Sequence, residues 1–230
     1  MRRRATSSAS APSAIGDLLG ELAPPPAIEP LGPGAVLLRA YAADEAEALV
    51  ADIEAIAAAA RFRHMETPGG FRMSVAMTNC GAAGWVTDRS GYRYDRHDPE
   101  TGRAWPAMPA RFRTLAERAA LAAGFANFAP DSCLINRYAP GSRLTLHQDR
   151  NERDFTAPIV SVSLGLPAVF LFGGGKRNER PRRVRLESGD VAVWGGPSRL
   201  AFHGIDKLAD GVHPHAGACR FNLTFRRALD

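Results

Sequence analysis

The chain has 230 residues, of which 45% are hydrophobic and 23% are charged, a size and composition typical of one globular domain. This excludes a wholly disordered chain and a coiled coil, and no apolar run is long enough to span a membrane. Three widely separated cysteines without a C-x-x-C motif argue against a disulfide scaffold or a cysteine-ligated zinc, and they indicate a reducing compartment. The 29 Lys and Arg against 24 Asp and Glu give a net charge of +5, which is compatible with a nucleic-acid partner.

The first 34 residues differ in composition from the rest of the chain. They open with three arginines and continue through an Ala, Ser and Pro-rich stretch, which predicts a flexible basic arm ahead of a folded domain at 35–230. No apolar segment follows the arginines, so a secretory signal is not expected. The expected location is the cytoplasm, with an organellar targeting segment as the alternative reading of the arm.

Two helices are predicted, at 44–60 and 110–123. The first begins with acidic residues and places Leu49, Ile53 and Ile56 on one face, and the second ends at Gly124. Residues 62–108, between the helices, are rich in Gly, Met and aromatic residues and lack a helical period, which predicts hairpins and loops.

Short strands dominate the remainder, separated by Gly, Pro and Asp clusters. One predicted strand, 35–41, precedes the first helix, and the others are 133–138, 144–147, 159–164, 168–172, 182–186, 190–194, 199–203 and 219–226. Helices followed by many short strands predict an α+β fold with a β-sandwich or barrel core.

His147 and Asp149 lie two residues apart at the end of a predicted strand, so both side chains point to the same face. A His-x-Asp pair is common by chance and needs a third ligand to indicate a metal. His203 closes a later predicted strand and is a candidate for that ligand, although a strand-end histidine without a metal is the alternative. Two histidines and one carboxylate form the facial triad that binds non-haem Fe(II).

The last predicted strand alternates polar and apolar residues, and its polar face comprises Arg220, Asn222, Thr224 and Arg226. In an edge strand such a face lies in water. If the strand instead lines a pocket, its two arginines are placed to hold the two ends of a short dicarboxylate. Asn136 and Tyr138, two apart on strand 133–138, are candidates to contact the same ligand, with a core role for Tyr138 as the alternative.

These motifs together resemble the bacterial AlkB family, Fe(II)/2-oxoglutarate-dependent dioxygenases that repair alkylated DNA. The resemblance rests on the runs 136–149 (NRYAPGSRLTLHQD) and 220–226 (RFNLTFR), on His203, and on the segments 65–79, 104–109 and 159–167. It extends from about residue 30 to the C-terminus and leaves out the arm.

The resemblance implies a double-stranded β-helix (jelly-roll) at 130–230, flanking helices and a nucleotide-recognition lid at 62–108. It implies that His147, Asp149 and His203 bind Fe(II), with O2 as a further cosubstrate and Arg226 close to the iron. The implied 2-oxoglutarate contacts are Asn136, Tyr138, Arg220, Asn222, Thr224 and Arg226.

The implied substrate contacts lie mostly in the lid. They are Thr67, Met73, Met77, Trp85, Tyr92, Tyr94, Asn151 and Arg177. Aromatic and methionine side chains on a glycine-rich backbone are suited to close over a flat base. In the family, the residue matching Trp85 stacks on the damaged base, although a tryptophan that only packs on a sheet is the alternative.

One position departs from the family pattern. Bacterial AlkB typically has an acidic residue where this chain has Asn151, and that acid is thought to meet the amino edge of a cationic methylated base. Asparagine keeps the hydrogen bonding and loses the charge, which leaves the preferred lesion open.

The implied function is oxidative demethylation of bases such as 1-methyladenine and 3-methylcytosine in DNA, with RNA as a further substrate, by a monomer without a membrane partner. Two alternatives share parts of this pattern. One is a 2-oxoglutarate-dependent hydroxylase of a protein or small molecule, and the other is a non-catalytic nucleic-acid binder with a degenerate site.

Overall fold

Two antiparallel sheets form the body of the protein in a computed structural model that describes residues 27–229. The larger sheet has, in spatial order, β1 (Ile28–Gly32), β2 (Ala35–Leu38), β11 (Val191–Trp194), β8 (Ile159–Gly165), β13 (Arg220–Arg226), β6 (Ser132–Tyr138) and β3 (Ala76–Gly81). The smaller sheet has β10 (Arg182–Leu186), β9 (Ala168–Phe172), β12 (His203–Ile205) and β7 (Leu144–His147). A separate hairpin comprises β4 (Gly84–Asp88) and β5 (Gly91–Asp95), and the two helices are α1 (Ala46–Ala59) and α2 (Ala110–Ala122).

The helices, the larger sheet and the smaller sheet form three layers. Leu49 and Ile53 of α1 and Phe112 of α2 belong to one apolar cluster with the outer face of the larger sheet. A second cluster lies between the sheets and includes Phe170 and Trp194. The antiparallel pairing and the two facing sheets are consistent with the predicted jelly-roll.

None of the helices within residues 27–229 is long and apolar enough to cross a membrane.

The last strand, β13, lies in the middle of the larger sheet, between β8 and β6. All seven of its residues are buried. Phe221, Leu223 and Phe225 pack in the cluster beneath the helices, so the alternate polar residues face the space between the sheets. The possibility that this polar face lies in water at a sheet edge is therefore wrong.

Three sequence-based boundaries need correction. The predicted arm at 1–34 includes residues 1–26, which lie outside the described part of the chain, but β1 starts at Ile28 and pairs with β2. The predicted strand 35–41 ends at Leu38 because the chain turns at Ala40, which has a φ of 52°. The predicted strand 199–203 is wrong, since a 3₁₀ turn at Gly196–Ser198 precedes a loop, and His203 opens β12 instead of closing a strand.

Residues 62–108 form hairpins and loops as predicted, with one strand, β3, that joins the edge of the larger sheet. A buried asparagine attaches the β4–β5 hairpin to this edge. The Asn79 side chain donates from Nδ2 to the Trp85 carbonyl oxygen and accepts from the Trp85 backbone N–H, both at 3.0 Å. Gly84 lies against Trp105, since a Cβ at that position would meet the indole at 2.5 Å.

The corrected domain start gives a stability prediction. Leu31 of β1 is buried, and Glu29 forms a 2.7 Å ion pair with Arg39. A chain that begins at Gly34 should lose roughly 2 kcal/mol of unfolding free energy relative to one that begins at Ala27, mainly from exposure of apolar surface. Equal denaturant midpoints for the two chains would show that β1 adds nothing to the domain.

Candidate active site

Two histidines face each other across a pair of strands in the smaller sheet. His147 ends β7 and His203 opens β12, and the two are direct register partners with ring centroids 4.3 Å apart. Asp149 follows β7 by two residues, and its carboxylate oxygens lie 3.7 Å from His147 Nε2 and 3.9 Å from His203 Nε2. Each of the three residues offers one atom that could bind a metal, and these three atoms all lie within 4.8 Å of one another. The fold therefore brings together the three residues that the sequence predicts as metal ligands.

Backbone carbonyls orient both imidazoles toward this centre. His147 Nδ1 lies 2.9 Å from the Thr145 oxygen, and His203 Nδ1 lies 3.0 Å from the Ala201 oxygen. A carbonyl only accepts, so each Nδ1 carries the proton and each Nε2 presents a lone pair to Asp149 and the space beside it. Burial, with a further contribution from His147, lowers the pKa of His203 to about 4, which keeps its imidazole neutral and able to bind a metal near neutral pH.

Asp149 is also the anion of a buried ion pair. Arg226 donates to Asp149 Oδ2 from Nε at 2.8 Å and from Nη2 at 2.6 Å. Burial alone would raise the pKa of Asp149, but Arg226 and then the two histidines hold this pKa well below its usual range. Burial by itself would lower the pKa of Arg226, but its neighbours, led by Asp149, together outweigh this effect, so the pKa of Arg226 is raised. The carboxylate is thus ionised and fixed in direction.

A second buried pair lies directly behind the first. Glu152 accepts from Arg199 Nη2 at 3.2 Å and lies 3.3 Å from Arg226 Nε. Arg199 also donates to the Asp149 carbonyl oxygen at 3.1 Å, so it ties the backbone of the predicted ligand to the same network. Two arginines and two carboxylates balance each other in this buried layer, which limits the cost of burying four charges.

Tyr94 belongs to this network and not to the substrate cavity. Its hydroxyl donates to Glu152 at 2.6 Å. Burial raises the pKa of Tyr94 well above its usual value, so the hydroxyl stays protonated. Tyr94 is absent from the cavity lining because Glu152 holds its polar end, and its role as a substrate contact stays a prediction.

A cavity of about 490 Å³ opens in front of the predicted metal ligands, between the two sheets and the β4–β5 hairpin. Its lining includes every other residue that the sequence predicts for the site. These are Thr67, Met73, Met77, Trp85, Tyr92, Asn136, Tyr138, His147, Asp149, Asn151, Arg177, His203, Arg220, Asn222, Thr224 and Arg226. Residues from distant parts of the chain thus meet in one concave site.

The end of the cavity at the start of β13 carries an unbalanced positive charge. Arg220 is 1% exposed, its Nε donates to Ser163 Oγ at 3.0 Å, and its guanidinium lies 4.9 Å from the centroid of the Tyr138 ring. Within residues 27–229 it forms no ion pair, and its Nη1 has no hydrogen-bond partner. Burial raises the pKa of the Tyr138 hydroxyl, which therefore remains a donor. These donors form a cradle for an anion.

Three amide and hydroxyl groups line the middle of the cavity and bond mainly to one another. Asn222 Oδ1 accepts from Asn136 Nδ2 at 3.2 Å and from Thr224 Oγ1 at 2.9 Å. Asn222 Nδ2 donates to Ser161 Oγ at 2.8 Å. Asn136 Oδ1 has no partner in the described chain, so the free group that Asn136 offers is an acceptor.

Several residues that contribute to the site were not predicted from the sequence. Ser161 and Ser163, on the neighbouring strand β8, accept hydrogen bonds from Asn222 and Arg220. Their alternation with apolar residues was the sequence signal that could have placed them on the cavity face. Trp194 packs against His203 with ring centroids 4.9 Å apart. Arg199 gave no such signal, because its partners lie more than 40 residues away in sequence.

Comparison with known proteins identifies the fold and the chemistry. Residues 34–226 match the profile of the 2OG-Fe(II) oxygenase superfamily. The chain is 60% identical over 200 residues to "Alpha-ketoglutarate-dependent dioxygenase AlkB" of Escherichia coli K12, which covers 87% of this chain and 93% of that protein. The chain belongs to the AlkB family of this superfamily.

More distant members of the AlkB family are also similar to this chain in sequence and in structure. The Schizosaccharomyces pombe protein "tRNA demethylase abh1" is 33% identical over 150 residues, covering 64% of this chain and 47% of that protein. The solved structure of OsALKBH1 superimposes with a TM-score of 0.76 at 29% identity, covering 87% of this chain and 100% of that chain.

Membership makes this protein an Fe(II)/2-oxoglutarate-dependent dioxygenase that uses O2. The residues present fit these groups. The two Nε2 lone pairs and the Asp149 carboxylate form a facial set of the kind that binds Fe(II) and leaves positions free. The Nη1 atoms of Arg220 and Arg226, which have no partner among the described residues, are buried donors at the two ends of one strand, an arrangement suited to a dicarboxylate.

The metal assignment predicts the effect of removing one ligand. His203→Ala should abolish Co(II) binding, followed by its visible absorption, and should reduce succinate release at least 100-fold while leaving the circular dichroism spectrum unchanged. His213→Ala, a matched change at a histidine outside the cavity, should behave as the parent protein. Full activity of His203→Ala would contradict the assignment.

The anion cradle predicts a selective loss in Arg220→Met. Because Arg220 has no counter-ion within residues 27–229, 2-oxoglutarate should raise the melting temperature of the parent protein but not of this variant. The KM for 2-oxoglutarate should rise at least tenfold, with oligonucleotide affinity changed less than twofold. Arg137→Met, on the exposed face of β6, is the control, and the reverse pattern in Arg220→Met would make this face a phosphate contact.

Proposed function

We propose that the protein removes N-alkyl groups oxidatively from bases of the 1-methyladenine and 3-methylcytosine type in DNA, and also in RNA. The proposal is carried by one observation, a cavity that joins the predicted metal ligands to an aromatic and basic rim. The relative in Schizosaccharomyces pombe whose printed name is "tRNA demethylase abh1" supports a nucleic-acid substrate.

The hairpin side of the cavity offers surfaces suited to a flat base. Trp85 and Tyr92 stack on each other with centroids 5.7 Å apart and both line the cavity, with Met73 and Met77 beside them. Aromatic and thioether side chains contact a base face without regard to its hydrogen-bonding edge. We propose that this part of 62–108 is the nucleotide-recognition lid and that the base enters the cavity unstacked or flipped out.

The rim of the cavity is basic. Arg150 and Arg177 both line it and are exposed, and Lys176 is exposed next to Arg177. Exposed cations beside a base-sized opening are placed to contact phosphates on either side of an extruded nucleotide. A hydroxylase of a protein or small molecule has no evident use for this combination.

The chain's own residues position and isolate the reaction. Fe(II), 2-oxoglutarate and O2, when bound, would supply the oxidising chemistry: one oxygen atom of O2 ends in succinate as 2-oxoglutarate loses carbon dioxide, and the other hydroxylates the N-methyl group, which then leaves as formaldehyde. His147, Asp149 and His203 would hold the metal, with Arg226 fixing the direction of the Asp149 carboxylate. Arg220 and Tyr138 would hold the distal carboxylate of 2-oxoglutarate, and the cavity walls between the two sheets would limit the access of water.

We also propose that the enzyme acts in the cytoplasm as a monomer. The reduced state of its three cysteines is compatible with this location. Light scattering of the purified protein tests the monomer.

A panel of single-stranded oligonucleotides tests the function. With Fe(II), 2-oxoglutarate and O2, oligonucleotides bearing 1-methyladenine or 3-methylcytosine should release succinate and formaldehyde in equal amounts, and their unmethylated counterparts should give only background succinate. DNA and RNA versions of each sequence compare the two substrates. Turnover of none of them would overturn the proposal in favour of a protein or small-molecule hydroxylase.

Phosphate contacts predict a steep salt dependence of binding. Each phosphate contact to a single strand lowers the logarithm of the affinity by about 0.7 per tenfold rise in salt. Replacing both Arg150 and Arg177 by uncharged residues should therefore make the slope of log affinity against log salt concentration shallower by about one to one and a half. A parent slope near zero would show that the basic rim does not meet a nucleic-acid backbone.

A further inference from the structure

The loop at 148–158, which joins β7 to β8, carries a predicted metal ligand but forms neither helix nor strand. Asp149 is its second residue. A strand residue is held by the hydrogen bonds of its ladder, whereas a loop residue needs other contacts to keep one position. Arg226 fixes the Asp149 carboxylate, so the position of the loop backbone needs an explanation of its own.

One buried side chain, Arg199, contacts this loop at four points. Its Nε donates to the Ala157 carbonyl oxygen at 3.0 Å, and its Nη1 donates to the Asp149 carbonyl oxygen at 3.1 Å. Its Nη2 donates to the Glu152 carboxylate at 3.2 Å. The ring of Phe155 covers the guanidinium, whose Cζ lies 5.2 Å from the ring centroid. The contacts extend from the start of the 148–158 loop almost to its end.

Arg199 also extends the pairing of the two segments that carry the predicted metal ligands. The ladder between β7 and β12 stops at the pair formed by His147 and His203. Arg199 precedes His203 by four residues, and the carbonyl that it reaches belongs to Asp149, just beyond the ladder. A side chain thus links the two segments where their backbone pairing stops.

These contacts require a guanidinium and not merely a positive charge. The three nitrogens of Arg199 reach acceptors at three separate places in the loop, and a lysine ammonium, whose donors share one atom, cannot span them. The side chain of Arg199 is 3% exposed. A lost hydrogen bond would therefore leave a buried acceptor without a partner, and the loop would shift to find another.

We propose that Arg199 is a positioning residue for the metal, which anchors the 148–158 loop and so holds Asp149 beside the two histidines. Arg199 is absent from the cavity lining, so it acts through Asp149 and not by contact with the metal or a substrate. The inference goes beyond the proposed function, because it concerns the metal ligands and holds for any substrate base.

Arg199→Lys tests the anchor, because it keeps the positive charge near Glu152 and removes the planar set of donors. Titration of the apoprotein with Co(II), followed by visible absorption, should give a Kd about 10 to 100 times that of the parent, as is typical when a residue that orients a metal ligand is lost. Arg185→Lys, the same change at an exposed position outside the loop, should bind Co(II) as the parent does.

Trypsin gives a second measurement that needs no metal. It cleaves after arginine, and Arg150 is exposed within the 148–158 loop. Because cleavage requires the segment to open locally, the apo form of Arg199→Lys should be cut after Arg150 about ten times faster than the parent. Cleavage after Arg177, which is exposed outside this loop, is the internal reference and should keep its rate.

Phe155→Ala is a milder variant that keeps the inference testable should Arg199→Lys not fold. Phe155 is 42% exposed, and its removal leaves the three hydrogen bonds of Arg199 in place but admits water to the guanidinium. The Kd for Co(II) and the rate of cleavage after Arg150 should both rise about threefold. If neither changes in this variant, the anchor is not needed and the inference is wrong.

The outcomes also separate the anchor from the metal assignment. A parent protein that does not bind Co(II) would overturn the assignment of the ligands and this inference together. If the parent binds Co(II) and folded Arg199→Lys binds it equally well, the inference alone is overturned. A lower melting temperature or faster cleavage without weaker Co(II) binding would show that Arg199 only stabilises the fold, and would also overturn it.

Discussion

Burial of the polar face of β13 in the middle of the larger sheet is the constraint on which the rest of this structure depends. Arg220 and Arg226 are both at most 5% exposed, and a buried cation is costly unless an anion and hydrogen bonds compensate it. At Arg226 the compensation is built into the protein, through Asp149 and Glu152. The ion pair also fixes the Asp149 carboxylate beside the two histidines, so one arrangement stabilises the core and prepares the predicted metal site.

The other end of the strand lacks such compensation. No carboxylate within residues 27–229 pairs with Arg220, whose nearest partners are the neutral Tyr138 and Ser163. The two arginines lie at opposite ends of β13, so one strand presents a cation beside the predicted iron ligands and another at the other end of the cavity. A dianion that reaches the metal at one end and Arg220 at the other satisfies the remaining charge, as 2-oxoglutarate does.

The β4–β5 hairpin, which lines the outer side of the cavity, is attached to this core by side-chain hydrogen bonds. The β4–β5 hairpin belongs to neither sheet, and Asn79 supplies to Trp85 the two hydrogen bonds that a neighbouring strand would give. Tyr94 fastens the second strand of the hairpin to Glu152 and so to the network around Asp149. Hydrogen bonds from Asn79 and Tyr94 therefore help to position the β4–β5 hairpin relative to the predicted metal ligands.

The sequence alone determined the fold class, both helices, most strands and the predicted metal ligands. These follow from local patterns, since hydrophobic periodicity is a property of neighbouring residues and the His-x-Asp pair and RFNLTFR lie within single strands. Only the tertiary structure placed His203 at the start of a strand opposite His147, and Tyr94 on Glu152 instead of the substrate cavity. It alone showed Arg199 joining the Asp149 backbone to Glu152 and the Trp85 indole donating to Asn151. These contacts join residues 47 to 66 positions apart in the chain, and which side chain faces which at that separation depends on sheet register and loop path, which no local pattern encodes.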